Sequence, residues 1–261
     1  MIPNVIHFCF GLAPRPQFGF LEYLALRSAL EINQPERIYF HYQHESRGRW
    51  WEMAKRMVVL NRVERPTQIF GRPLWHYAHQ CDVLRLLMLQ RHGGIYLDID
   101  TLCVRPFTAL LRNACVMGRQ PGRGLCNAVI LSEAEGMFVN AWLESYRNFR
   151  SVGRDAYWDE HSVLVPAQLI GQPELRESIT ICDERAFFFP HWNNMEALFE
   201  SGDEAPFARS YCIHYWETLT RQRWLGRIEP ASAAMGQSNF ARLVRRILGS
   251  GPQSHDLKTS C

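Results

Sequence analysis

Between Gln80 and Gln90 the apolar residues Val83, Leu84, Leu87 and Met88 recur at helical spacing, so the pattern predicts a helix there. Gly93 and Gly94 then stop it, because glycine takes left-handed backbone conformations without a Cβ clash. Ile95-Tyr96-Leu97 is a short apolar, β-prone run and reads as a buried strand. Upstream, the run from Ile2 to Phe10 predicts a first strand, with Pro3 where a missing N–H does least harm. Leu21, Leu24, Ala25, Ser28, Ala29 and Ile32 mark one face of a helix that Asn33 and Pro35 end. Ile38 to Tyr42 predicts a second strand, Trp50 to Leu60 a helix, and Val63 to Phe70 an extended segment broken by Pro66. Strand, helix, strand, helix is the alternation of an α/β chain, a doubly wound, mostly parallel sheet covered on both faces.

Downstream the pattern is less regular. Phe107, Leu110 and Leu111 predict a short helix after Pro106, and Val116 to Gly118 and Cys126 to Ile130 predict strands. Phe138, Ala141, Trp142 and Ser145 share a helical face between Phe138 and Phe149. Asp155 to His161 concentrates acidic and aromatic side chains, suited either to sugar contacts or to a solvated loop. Phe187 to Trp192 is too aromatic to be left in water and is expected in the core. Phe240, Leu243, Val244, Ile247 and Leu248 describe a terminal amphipathic helix over 238–248, with Arg242, Arg245 and Arg246 beside the apolar stripe. Such a helix either docks on its own domain or lies on an anionic membrane surface. From Gly249 onward the tail has little to bury and is expected to be disordered.

Composition narrows the class. With 261 residues the chain can build one substantial core, and 47% apolar and 21% charged residues are ordinary for a globular protein. No run of 18 apolar residues and no signal-type N-terminus is visible. A Golgi enzyme with a membrane anchor is therefore not expected. The eight cysteines are scattered without zinc-type spacing, which favours a reducing cytoplasm. A net charge of +3, with no basic stripe, gives no case for nucleic acid.

The chemistry concentrates after the predicted strand 95–97. Asp98 and Asp100, two residues apart, point to one side and are hard oxygen donors suited to Mn²⁺ or Mg²⁺, and hence to carrying a diphosphate. A solvated pair is the simpler alternative. On the preceding helix Asp82 and Arg85 share a face at i and i+3. Asp98-Ile99-Asp100-Thr101-Leu102 also resembles the DxDx[TV] opening of haloacid-dehalogenase-type phosphatases, with Leu102 at its last position and Asp98 as nucleophile. That chemistry needs a lysine further along, and none lies between Lys55 and Lys258.

Taken together, Ala78-x-x-x-Asp82-x-x-Arg85 and Gly93-Gly94-Ile95-Tyr96-Leu97-Asp98-x-Asp100 resemble the core of the DxD sugar-binding glycosyltransferases. That family includes initiating mannosyltransferases, α1,4-galactosyltransferases, bacterial capsule and lipopolysaccharide enzymes, and clostridial glucosylating toxins. The resemblance implies a GT-A fold closed by a C-terminal helical and aromatic segment. It also implies a nucleotide-sugar donor, with a UDP-hexose favoured, a divalent metal, and transfer with retention to a glycan or lipid-linked glycan. In this reading Asp98 and Asp100 are the catalytic pair and metal ligands, and His214 of the Cys212–Trp216 segment is a third ligand. Phe8 or Phe10 stacks on the base, Tyr96 lies near the base or ribose, and Asp82 and Arg85 hold the sugar and its phosphate side. Asn127 offers an amide to a sugar hydroxyl, and Arg221 or Arg223 can fork onto a phosphate.

The same reading divides a single 1–248 domain into a donor half, 1–107, and an acceptor half, 108–230. It places the enzyme in bacterial surface polysaccharide synthesis, in the cytoplasm and in peripheral contact with the inner membrane face. The competing readings are the phosphatase and a non-catalytic nucleotide-sugar-binding relative.

Overall fold

Seven strands form the central sheet of the computed structural model, which describes residues 1–249. In chain order the strands are β1 (Val5–Cys9), β2 (Arg37–Tyr42), β3 (Val59–Arg62), β4 (Gln68–Ile69), β5 (Arg72–Pro73), β6 (Gly94–Leu97), β7 (Thr101–Cys103), β8 (Cys115–Gln120), β9 (Gly124–Ser132), β10 (Thr180–Cys182) and β11 (Cys212–His214). The helices are α1 (Phe20–Asn33), α2 (Arg49–Ala54), α3 (Tyr77–His92), α4 (Met137–Ser145), α5 (Val165–Leu169), α6 (Pro173–Glu177), α7 (Glu184–Phe187), α8 (Glu196–Phe199), α9 (Glu217–Thr220) and α10 (Asn239–Gly249). The sheet order is β10-β8-β9-β6-β1-β2-β3, and only β9 runs against the others. This is the mostly parallel α/β sheet that the alternation predicts.

Two apolar layers cover the sheet. Ile6, Phe8, Ile38 and Phe40 pack with α1, α2 and α10 on one side. Cys9, Tyr96 and Ile130 pack with α3 and α4 on the other. Alternation along β1 thus sends Phe8 and Cys9 to opposite layers, as the two-residue period of a strand requires. The aromatic run near residue 190 is split, since Phe187 and Phe188 are fully buried while Trp192 is 43% exposed.

Boundaries differ from expectation where two patterns compete. The helix expected to reach Leu60 stops near Met57, and Val59 and Leu60 form an edge strand beside Tyr39 and Phe40. The extended segment expected over 63–70 instead leads into the β4–β5 hairpin, turning through Phe70 and Gly71 at φ +48° and +74°. The Gly93–Gly94 stop holds: both have positive φ, and a Cβ on Gly94 would sit 2.5 Å from the Val5 carbonyl oxygen. Glycine there lets β6 lie directly against β1.

α10 turns Phe240, Val244 and Ile247 inward against α1 and α8, so its apolar stripe is docked and not presented to a membrane. No helix among the described residues is long and apolar enough to cross one. The tail expected to be disordered lies, beyond Gly249, outside the described residues.

Candidate active site

The site forms at the carboxyl end of β6, where parallel α/β sheets bind ligands. β6 delivers Asp98, a tight turn follows, and Thr101 N–H and Oγ1 both donate to the Asp98 carbonyl, which aims Asp100 back toward the same cleft. β7 pairs antiparallel with β11, and that small ladder brings His214 opposite Thr101. Two carboxylates and an imidazole, with His214 114 residues beyond Asp100 in sequence, thus offer ligand atoms within 4.8 Å of one another.

Each carboxylate is held differently. Asp98 Oδ1 accepts from Tyr96 Oη at 2.8 Å and pairs with Arg85 Nη1 at 3.0 Å. Burial pushes its carboxyl above the ordinary range, with Arg85 opposing. Asp100 Oδ1 faces His214 Nε2 at 3.1 Å, and Oδ2 accepts the Glu217 N–H at 2.9 Å. Burial would raise Asp100 as well, but His214 and these hydrogen bonds outweigh it and hold the carboxyl low. Burial works against the His214 cation, yet Asp100 wins and raises its pKa. Trp216, 4.3 Å from the His214 ring, sits at φ +56°, a strained backbone for a non-glycine residue. That bend starts α9 and points the Glu217 N–H at Asp100.

Beneath Asp98 lies a buried polar network. Arg85 reaches Asp82 at 3.1 Å and donates to the Asn127 carbonyl at 2.7 Å, while Asn127 Nδ2 donates to Asp82 Oδ1 at 2.7 Å. The Arg85 guanidinium also stacks over the Tyr96 ring at 4.5 Å. Despite the cost of burial, its surrounding anions hold it well above the ordinary arginine pKa. Every group is satisfied, so the network is a rigid support for Asp98.

Several expected contacts therefore change. Phe8 is wholly buried in the α1-side layer and presents no face for a base. Phe10, at the end of β1, stays half-buried with its ring edge-on to Phe18. Tyr96 is 1% exposed, so it orients Asp98 and does not lie along a base or ribose. Asn127 and Arg85 spend their donors on Asp82, Asp98 and backbone, leaving them to position the site from below. Arg221 and Arg223 pair with Glu217 and Glu196 at the surface and do not line the cleft.

Of the opposite wall, Gln120 and Arg154 carried no sequence signal. A cleft of about 720 Å³ runs from Asp98, Asp100 and His214 to Gln120, Arg154, Asp155, Trp158 and Asp159. Only the Asp155–His161 segment was flagged, by its composition. The Glu217 amide is backbone and leaves no trace in residue type. A second cleft, about 860 Å³, opens on the same carboxyl edge of the sheet, lined by Arg15, Arg47, Arg62 and the ends of β2 and β3. The Ser46 hydroxyl in its wall is buried without a hydrogen-bond partner.

Would the residues fit a divalent cation? Hard carboxylate oxygens plus one imidazole nitrogen suit Mn²⁺ or Mg²⁺, and among the described residues no hydrogen bond reaches Asp98 Oδ2 that a cation would have to displace. They fit.

Comparison with known proteins agrees with this class. Residues 23–117 match the family described as glycosyltransferase sugar-binding region containing DXD motif. Glucan organizing enzyme 1 of Cryptococcus neoformans var. grubii serotype A is 35% identical over 268 residues, covering 95% of this chain and 71% of that protein. The chain belongs to the DXD-motif glycosyltransferase family and is a glycosyltransferase. Membership brings a nucleotide-sugar donor and a glycan acceptor, and removes the phosphatase reading. Among solved structures, the bifunctional glycosyltransferase WbbM shares the fold at TM-score 0.52 and 10% identity, over 98% of this chain and 51% of its own. The glycosyltransferase GlyE of Streptococcus pneumoniae TIGR4 aligns at TM-score 0.49 and 12% identity, over 98% of this chain and 62% of its own.

Proposed function

We propose that the protein transfers a hexose from a UDP-sugar, with retention, to a hydroxyl of a cell-surface polysaccharide, using Mn²⁺ or Mg²⁺ held by Asp98, Asp100 and His214. The observation that carries this reading is the convergence of those three side chains at one cleft end. When bound, the cation neutralises a diphosphate and the charge that develops on it as the glycosidic C–O bond breaks. Asp82, Arg85, Tyr96 and Asn127 keep Asp98 in one orientation, so no reorganisation is needed when charge develops.

The nucleoside half of the donor is assigned to the second cleft. β6 and β2 are two ladder steps apart, about 10 Å, which a nucleoside diphosphate spans. Its arginines suit phosphate and ribose oxygens.

Retention without a covalent adduct is supported by how the cleft's other carboxylates are used. Both Asp159 oxygens take the Arg123 fork, and Asp155 accepts from Ser151 and from the Val152 and Tyr157 amides. Glu217, also in the cleft lining, pairs with Arg221. With all three engaged, none is offered as a free nucleophile, which supports the departing phosphate as the group that takes the acceptor's proton. A glucan acceptor is supported by the name of the fungal relative, which also moves the expected setting from bacterial polysaccharide to cell-surface polysaccharide in general. A reducing compartment is supported by the seven free cysteines among the described residues.

The test is a donor screen with Mn²⁺ over UDP-hexoses and GDP-mannose, reading nucleotide release and the anomer formed. The reading expects release from one UDP-sugar, abolished by EDTA, with the donor's anomeric configuration preserved. An inverted product, or release indifferent to EDTA, contradicts it.

A further inference from the structure

Of the arginines set beside the apolar stripe of α10, Arg245 is spent on backbone, donating to the Ala234 and Gly236 carbonyls at 2.6 and 2.8 Å. Arg242 and Arg246 fall with Asn239 and Leu243 on one helical face. That face walls a pocket of about 360 Å³, which Arg105 and Glu204 also line. None of its lining residues belongs to either cleft at the carboxyl edge of the sheet. Three guanidinium groups therefore share the wall with a single carboxylate. Arg105 is fixed in place, since Nη2 donates to the Arg209 carbonyl at 2.6 Å and the guanidinium lies 3.8 Å over the Tyr211 ring. Among the described residues it has no acid partner, and its buried Nε has no acceptor. Asn239 is 1% exposed. Its Nδ2 donates to the Ala197 and Asp203 carbonyls, both at 2.8 Å, which fixes the amide and leaves Oδ1 buried without a donor. One positively charged wall thus holds an unmet donor and an unmet acceptor, and burying either unpaired is costly.

We propose that this pocket binds a phosphorylated polyol, with the phosphate on Arg105 and Arg242 and a hydroxyl donating to Asn239 Oδ1. Guanidinium forks match phosphate oxygens, and Arg242 spends only Nη1, on Glu204 at 3.2 Å. Asn239 Oδ1 can only accept, so an anion without a hydroxyl, such as sulfate, leaves it unmet. The Arg242–Glu204 pair stands largely in solvent and is weakly held, so Arg242 is free to swing aside and admit the ligand to the two buried atoms. A volume of about 360 Å³ lies at the small end of ligand pockets and suits a sugar or inositol monophosphate better than a polymer. Two sources share that chemistry: a soluble sugar phosphate and the headgroup of an inositol phospholipid. The site stands apart from the transferase reading and does not depend on it.

The experiment titrates glucose 6-phosphate, inositol 1-phosphate and sulfate into the full chain by calorimetry, with EDTA present so that metal-dependent binding at Asp98 and Asp100 takes no part. The expectation is that one of the two esters binds at least about tenfold more tightly than sulfate, and that Arg105→Gln weakens it by about tenfold. Leu243→Trp, which fills the pocket and leaves every charge in place, should abolish it. Thermal melting identifies which variants keep the fold, and one that does is enough to decide. Cosedimentation with phosphatidylcholine vesicles, with and without phosphatidylinositol, then names the source. Retention that inositol 1-phosphate competes away assigns the lipid headgroup, and no retention assigns the soluble ester. Esters that bind no more tightly than sulfate, or ester binding unchanged in the folded variants, overturn the site.

Discussion

Tyr96 and Arg85 both end on Oδ1 of Asp98, leaving Oδ2 toward the cleft. That division of one carboxylate into a held oxygen and a presented one is the smallest unit of the site. Tyr96→Phe removes the hydroxyl while keeping the ring packed, and hydrogen bonds to a charged group contribute about 1.5–3 kcal/mol. The expectation is a fall of about tenfold in donor turnover with the thermal midpoint shifted by only a few degrees. Unchanged turnover would mean that Asp98 orientation is set elsewhere. Asp98 and Asp100 were legible as a pair from residue type and spacing, and His214 joined them through the family resemblance, while Asp82 and Arg85 were legible as residues but were expected on the sugar and not beneath Asp98. Phe8, Tyr96 and Asn127 were legible as residues but not in their roles. Alternation says which face of a strand a side chain takes and not what covers that face, and here buried partners cover all three.

Across β1, β2 and β3 the elements are tied by a polar rung inside the sheet layer. His7 Nε2 meets the Gly93 carbonyl at 3.0 Å, its Nδ1 meets His41 Nε2 at 3.0 Å, and His41 Nδ1 takes the Asn61 amide at 2.9 Å. Each contact is satisfied with both rings neutral, His7 donating to the carbonyl and accepting from His41. Burial lowers His7 to about 4 and His41 to about 3. The unfolded chain takes up these protons first, so stability is complete above about pH 6.5 and falls as the pH drops toward 4. For His7 alone the loss is roughly 3 kcal/mol, read as a falling urea midpoint between pH 7 and 4.5. A flat midpoint over that window would contradict the neutral rung. The helix expected over 50–60 overran the third strand, where the Asn61 side-chain amide donates to His41 Nδ1. Apolar elements with clear stops, such as α1, α3 and the four-residue β6, were legible. Short edge elements such as β4, β5 and β10 were not, since two or three residues carry no period.

At the scale of the whole chain, the carboxyl edge of the sheet gathers residues far apart in sequence, and the C-terminal third closes over it. α10 seals the α1 side with Phe240, Val244 and Ile247, each worth about 1.5–3 kcal/mol when buried. A chain ending at Ser238 is therefore expected to lose about 5 kcal/mol, comparable to the stability of a typical domain. It should melt far below the intact protein, and an unchanged melt would show that α10 is dispensable. The return of the His214 segment to the carboxylates was expected from the family resemblance, while its pairing with β7 and the packing of Arg154 into the wall depended on loop geometry that no periodic pattern encodes.

On the proposed function, Asp98, Asp100 and His214 hold a cation on which a nucleoside diphosphate is carried. Calorimetric titration of UDP and GDP into the protein, with Mn²⁺ and with EDTA, tests it directly when repeated on Asp100→Asn. Nucleotide binding is expected to need Mn²⁺ and to weaken by about a hundredfold or more in Asp100→Asn. Binding of equal strength with EDTA, or with Asp100→Asn, would contradict it.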